Sequence, residues 1–217
     1  MADIFREVDE ELSRDRAMQA WRKHGKYVIA FAIAAVIAVA GFSGWQDYRE
    51  RQRQAEGRAY VQAIDLVMKE DVRAATAAMA EVASKGGGYR PLALLEEASL
   101  KVKAGDRPGA VKIYDDLAAD GSVGRPFRDL AAILSVMISL DSGEPAALLK
   151  KLQPLAGPDQ AFHPSALELQ GLLALRQGDF KTAKQNFRSL SDDAAAPTGL
   201  RQRATQILAW IGERGGA

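Results

Sequence analysis

GDRPGAVKIYDDL (105–117) and GDFKTAKQNFRSL (178–190) share one pattern. Each opens on Gly-Asp, a turn signal. Five residues after the glycine stands a small residue (Ala110, Ala183), nine after an aromatic (Tyr114, Phe187), twelve after a leucine (Leu117, Leu190). Offsets of five, nine and twelve are i, i+4 and i+7, one stripe of an α-helix.

The pattern extends in both directions. Glu70, Gly105, Gly143 and Gly178 mark four turns spaced 35, 38 and 35 residues apart. In the two weaker copies the stripe reads Ala75, Met79, Val82 and Leu148, Leu152, Leu155. Seven residues before the turns stand Ala63, Ala98, Val136 and Gly171, small or apolar residues that let a paired helix come close. Pro91, Pro126, Pro164 and Pro197 stand where a new first helix begins, a position proline favours because the N–H it lacks would be unpaired there. Each repeat is therefore a helix, a short turn and a second helix. One such pair cannot bury its apolar face alone, so the pairs stack. Leu200, Ile207, Leu208, Trp210 and Ile211 form a last, capping helix. A plain up-down bundle is the alternative, and the regular period argues against it.

The two opening stretches resemble the tetratricopeptide repeat in their Gly-Asp turn, small residue and aromatic. The leading Trp and the Leu-Gly pair of that family's pattern are missing, and the first and third copies are degenerate. The resemblance implies an all-α fold: a right-handed α-solenoid of about four hairpins and a C-terminal cap helix, over 58–217. The expected repeat core is Ala75, Met79, Ala98, Ala110, Tyr114, Leu152, Gly171, Ala183 and Phe187. In that family the first helices line a concave face. Here the face is mostly apolar, with Tyr60, Ile64, Leu95 and Met137 the expected partner-binding residues. It lacks the Lys, Arg and Asn set that a clamp for a terminal carboxylate needs. Two occupants fit: an apolar partner segment, or the C-terminal helix folded back through Ile207, Trp210 and Ile211.

Before the repeats, residues 27–46 read YVIAFAIAAVIAVAGFSGWQ, 20 uncharged residues in a row. As a helix they span roughly 30 Å, the hydrocarbon thickness of a bilayer. Arg22, Lys23 and Lys26 flank one end and Asp47, Arg49 and Arg51 the other. Trp21, Tyr27, Trp45 and Tyr48 stand where interfacial aromatics belong. A transmembrane helix is expected. Ala38-Val39-Ala40 resembles a signal-peptidase site, but 26 residues of mixed charge precede the run and no polar segment follows the site. Five basic residues before the span against four after it favour a cytoplasmic N-terminus by a narrow margin. Ala30, Ala34, Ala38 and Gly41 share a face that allows close helix approach in lipid. In the tail, Ile4, Phe5, Val8 and Leu12 form a short amphipathic stripe opposite Asp and Glu, suited to a partner more than to anionic lipid.

The remaining chemistry is sparse. Lys and Arg number 29 and Asp and Glu 28, a net charge of +1, which leaves no basic footprint for nucleic acid. With no cysteine there is no disulfide, thiolate metal site or Cys nucleophile. Ser43 lies in the apolar run without the G-x-S-x-G form. Gly86, Gly87 and Gly88 make a flexible loop without the Lys-Ser/Thr of a phosphate loop. His163 is expected to cap or face solvent. Glu96-Glu97 and Asp115-Asp116 are helix neighbours about 100° apart, expected on solvated faces. No enzyme, cofactor, metal site or small-molecule substrate is expected.

The whole layout resembles the YfgM-like ancillary subunits of the SecYEG translocon. The shared features are a short charged tail, one span ending in Gly41 to Trp45, a charged helical extension (QDYRERQRQAEG) and degenerate repeats. The resemblance implies a cytoplasmic tail (1–26), a single span of the bacterial inner membrane (27–46), a helical linker (47–57) and a periplasmic repeat domain (58–217). The implied function is a membrane-anchored protein–protein interaction scaffold that links the Sec translocon to periplasmic chaperones and secreted proteins. The implied partners are SecYEG and a membrane-anchored periplasmic chaperone. The alternative is a structural adaptor in cell-envelope or outer-membrane assembly, unrelated to secretion.

Overall fold

The computed structural model describes residues 2–214, with side-chain surroundings described at positions 18, 22, 26, 31 and 36–213. The described residues form nine α-helices and no strand: α1 (Ala2–Met68), α2 (Val72–Ser84), α3 (Arg90–Lys103), α4 (Arg107–Ala119), α5 (Arg125–Ser139), α6 (Pro145–Leu152), α7 (His163–Arg176), α8 (Phe180–Asp192) and α9 (Thr198–Arg214). A single 3-10 turn, Gln153–Leu155, follows α6. The chain divides into two compact units, Met1–Ala55 and Glu56–Ala217.

Residues 2–55 of α1 fall in the first unit. Val36, Ile37, Val39, Phe42, Trp45 and Tyr48 are each more than half exposed. The Arg49 guanidinium lies 4.4 Å from the centroid of the Trp45 ring, a cation–π contact. Among the described residues no helix is long and apolar enough to cross a membrane. The expected span at 27–46 takes residues 27–30 and 32–35 from outside the described side chains, and the tail stripe Ile4, Phe5, Val8 and Leu12 lies outside them too.

The second unit is a series of hairpins: residues 56–68 of α1 with α2, α3 with α4, α5 with α6, and α7 with α8. The four second helices start in the same way. Asp71, Asp106, Glu144 and Asp179 stand at their N-caps, each accepting from the backbone N–H three residues on, at 2.7–3.0 Å. That bond satisfies an N–H which the helix itself leaves free. The residue before each cap reverses the chain. Glu70, Gly105 and Gly178 do so at φ 58°, 84° and 76°, the left-handed region. Gly143 meets a different demand: a Cβ there would lie 3.0 Å from Leu148 Cδ1 and from the Ser139 carbonyl oxygen. Pro91, Pro126 and Pro164 lie at the first turns of α3, α5 and α7. Pro197 stands just ahead of α9, its carbonyl accepting from Leu200 and Arg201.

Packing follows the same period. Each hairpin sets a first-helix residue against a knob sixteen positions later: Ala63 and Met79, Ala98 and Tyr114, Val136 and Leu152, Gly171 and Phe187. Every member is buried, and each pair falls in one hairpin's core. The two aromatic knobs face the small residues Ala98 and Gly171, while Leu152 faces the larger Val136. All nine expected core residues are buried. The third hairpin is the irregular one. Pro154 cannot continue α6, so the helix stops at Leu152 and a 3-10 turn carries Leu155 into the core, 3% exposed. At the C-terminus, α9 packs on α8 and α7. Its Ala204, Ile207, Leu208 and Ile211 join Phe187 and Leu190 in the last cluster.

Candidate partner-binding surface

The first helices carry the expected binding face, and the structure distributes its four residues unevenly. Tyr60 and Ile64, one turn apart near the end of α1, are half-buried against the core of Ala63, Ala75 and Met79. Leu95 is half-buried against Tyr114 and Leu117. Met137 belongs to no core cluster and is 51% exposed. Val61 and Met68, on the same stretch of α1, are more exposed still, at 58% and 72%. Sequence periodicity did not single these two out, although Val61 and Met68, seven apart, form a stripe of their own.

Aromatic and acidic groups gather around Tyr60. Its ring stacks on Tyr89, with centroids 5.2 Å apart and planes 28° apart. Burial, then the Glu96 carboxylate, then Tyr89 push the Tyr60 phenol above its ordinary range. Burial and Glu96 do the same to Tyr114, whose hydroxyl donates to the Leu95 carbonyl at 3.4 Å. Glu96 is half-buried and makes no ion pair among the described residues. The surface near Tyr60 is thus an aromatic patch with the Glu96 carboxylate close by.

The C-terminal helix meets the first-helix face at α7, where Ile207 and Ile211 share a cluster with Leu172 and Leu175; none of Tyr60, Ile64, Leu95 and Met137 belongs to that cluster. Ile207 and Ile211 point into the last hairpin's core, and Trp210 is 41% exposed. Arg203 on α9 pairs with Glu168 on α7 at 2.7 Å, clasping the cap helix to the last first-helix.

The adjacent acidic pairs also differ from the expectation of solvated faces. Asp116 is exposed and pairs with Lys112 one turn away. Its neighbour Asp115 instead binds Lys151 of α6, at 2.7 and 2.8 Å, and accepts from the fully buried Ser135 hydroxyl of α5 at 2.6 Å. One carboxylate therefore ties three helices. Glu97 is half-buried, and burial pushes its carboxyl up, opposed by Lys101. His163 opens α7, and its Nδ1 lies 2.8 Å from the Ala156 carbonyl. A carbonyl only accepts, so Nδ1 carries the proton. The contact holds the loop after the 3-10 turn against α7.

Hairpins of this size and order, with a small residue facing a large knob and an N-cap acid after a left-handed turn, are the construction of the tetratricopeptide repeat. The family model described as "Tetratricopeptide repeat-like domain" matches residues 19–208. The chain belongs to the tetratricopeptide repeat-like domain family. A solved tetratricopeptide repeat protein from Parabacteroides merdae ATCC 43184 superposes with a TM-score of 0.59. That match covers 74% of this chain and 61% of the other, at 16% identity, so it speaks to fold alone. The chain thus spans about three fifths of that protein's length. No curated protein matches the chain. The tetratricopeptide repeat-like fold suggests a protein–protein interaction scaffold.

Proposed function

We propose that this protein is a membrane-anchored interaction scaffold whose first-helix face receives a partner segment. On this reading it is an accessory factor of the Sec translocon, and the repeat domain, residues 58–217, meets chaperones and secreted proteins on the periplasmic side of the inner membrane. The observation that carries the binding face is the exposure of Val61, Met68 and Met137 on first helices, together with the Tyr60–Tyr89 stack. Large exposed apolar side chains on first helices offer contact area to a partner, and Glu96 favours one that carries a basic residue among apolar ones.

The anchor reading rests on the uncharged run 27–46 and on the exposed apolar side chains of residues 36–48. The family match begins at residue 19, so it takes in that run together with the repeats. The Trp45–Arg49 contact pairs an aromatic with a cation at the end of the run, as interfacial anchors do. The translocon link rests on the resemblance in layout.

The test is crosslinking in intact membranes, followed by identification of the captured proteins. Translocon subunits and periplasmic chaperones are expected; envelope-assembly proteins in their place overturn the secretion reading. The anchor has its own test. Val36→Arg with Val39→Arg costs about 2.5–3.5 kcal/mol per arginine at the centre of a span, and the double variant should leave the carbonate-resistant membrane fraction. Retention there overturns the anchor.

A further inference from the structure

A cleft of about 600 Å³ opens between α4, the first turns of α5 and the segment running from α6 into the 3-10 turn. That volume lies within the roughly 300–1,000 Å³ of ligand pockets. It is a different face from the one described above. On α5 the cleft takes Arg128, Asp129 and Ala132, and Met137 stands about 140° round the helix from Ala132 at 3.6 residues per turn.

The walls are Ala118, Ala119, Ala132, Pro154 and Leu155, and five charged residues complete the lining. Four of the five are paired among themselves. Lys151 binds Asp115 at 2.7 Å, and Arg125 binds Asp129 at 3.3 Å while also donating to Gln160. Arg128 is left over. It makes no ion pair among the described residues, and its Nε is buried without a hydrogen-bond partner. The lining therefore carries one positive charge more than it carries negative, held on the half-buried Arg128. A guanidinium fork matches a carboxylate in plane and spacing.

We propose that this cleft is a second docking site, for a protein segment that bears one carboxylate flanked by apolar side chains, with Arg128 as its anchor. The charge count selects a monoanion, because Asp115 and Asp129 repel a second negative charge. The Lys151–Asp115 and Arg125–Asp129 pairs place donors and acceptors of both signs along the cleft. A peptide backbone uses both signs and an alkyl chain uses neither. The site depends neither on the anchor nor on the Tyr60 face.

The test uses the full chain in neutral detergent micelles, labelled with ¹⁵N-arginine and ¹⁵N-alanine. Two pools of acetylated, amidated pentapeptides with apolar flanks are titrated in, one pool centred on Glu and the other on Gln; octanoate forms a third arm. The expected result is a saturable shift of the Arg128 Nε–H and of the Ala118, Ala119 and Ala132 amides with the Glu pool only. Arg128→Gln should weaken that response at least tenfold. Ala119→Trp, at an exposed wall position, should block it with Arg128 in place, so the test stands even if the Arg128 variant melts early. Equal responses to the Glu and Gln pools, no saturable response to the Glu pool, or full binding by Ala119→Trp overturns the proposal. An Arg128-dependent response to octanoate alone overturns the protein segment as ligand.

Discussion

A Cβ built on Gly171 would lie 2.8 Å from Cε2 and Cζ of Phe187, closer than carbon atoms approach without movement. The glycine of α7 is there because the ring of α8 fills the space a side chain would take. Gly171→Ala should therefore destabilise the domain although alanine is the better helix former by about 0.8–1.0 kcal/mol. Overpacking costs about 1–3 kcal/mol, which outweighs it. Phe187→Ala, at a fully buried ring, should cost about 3–5 kcal/mol. The pair is coupled: Gly171→Ala should be tolerated better beside Phe187→Leu than alone. Urea melts of the four variants check this, and additive effects would separate the two residues.

Glu70 holds the left-handed turn that Gly105 and Gly178 hold elsewhere. A residue with a Cβ loses roughly 1–2 kcal/mol in that conformation. Glu70→Gly should raise the melting temperature, the gain reduced by the entropy glycine adds to the unfolded chain. Gly178→Ala should lower it. A lower midpoint for Glu70→Gly would show that its side chain earns a contact that outweighs the strain.

Four carboxylates lie below their ordinary range: Glu81 through Lys85, and three at helix and turn starts. Hydrogen bonds from Lys101 and the Gly109 N–H hold Asp106 below its ordinary value. Hydrogen bonds from Thr182 do the same for Asp179. Ser122 first, then Arg90, hold Asp120 down to about 2. A depressed carboxyl contributes stability that is fully present above its unfolded value, 3.8 for the three aspartates, and is lost as pH falls through the folded value. Melting temperature should therefore stay flat near neutrality and fall from about pH 4 towards pH 2. Asp120→Asn should flatten the lower part of that fall. A wild-type curve unchanged at pH 2.5 would remove these bonds from the account.

Asp115 should matter more than an acid on a solvated face. Asp115→Ala leaves the buried Ser135 hydroxyl without its carboxylate acceptor, a cost of about 1–3 kcal/mol. Ser135→Ala added to it should cost little further, since the donor is then gone. Asp116→Ala, one residue away, should fall within about 0.5 kcal/mol of wild type, as exposed pairs do. Equal losses for the two aspartates would contradict the geometry.

On the partner face, Met137→Ser should weaken partner capture and leave the melting transition in place, because the side chain is 51% exposed and outside every core cluster. Ile64→Ser and Leu95→Ser should weaken capture and lower the melting temperature together, since both pack on their hairpin cores. A melting loss for Met137→Ser equal to that for Ile64→Ser would place Met137 in the fold and not on the binding face.

The sequence by itself determined the helical hairpins, their period and their turns. Capping, left-handed turns and proline at a helix start act within a few residues of chain, so Asp106, Gly105 and Pro126 announce themselves. The close approach of the paired helix at Ala98 and Gly171 was legible too, because small residues recur at one distance before each turn; that Tyr114 and Phe187 are what approaches them was not. Tertiary structure decided what depends on neighbours one repeat away. Periodicity could say that Asp115 and Asp116 point about 100° apart, but not that Lys151, 36 residues on, would meet only the first. It could place Met137 and Leu95 on first helices, but not say that Leu95 would be half-buried and Met137 51% exposed. It could count Ile207 and Ile211 as apolar, but not choose between filling a groove and capping α8. Those outcomes are set by how successive hairpins stack, and only the packed chain brings together residues whose separation in sequence carries no local signal.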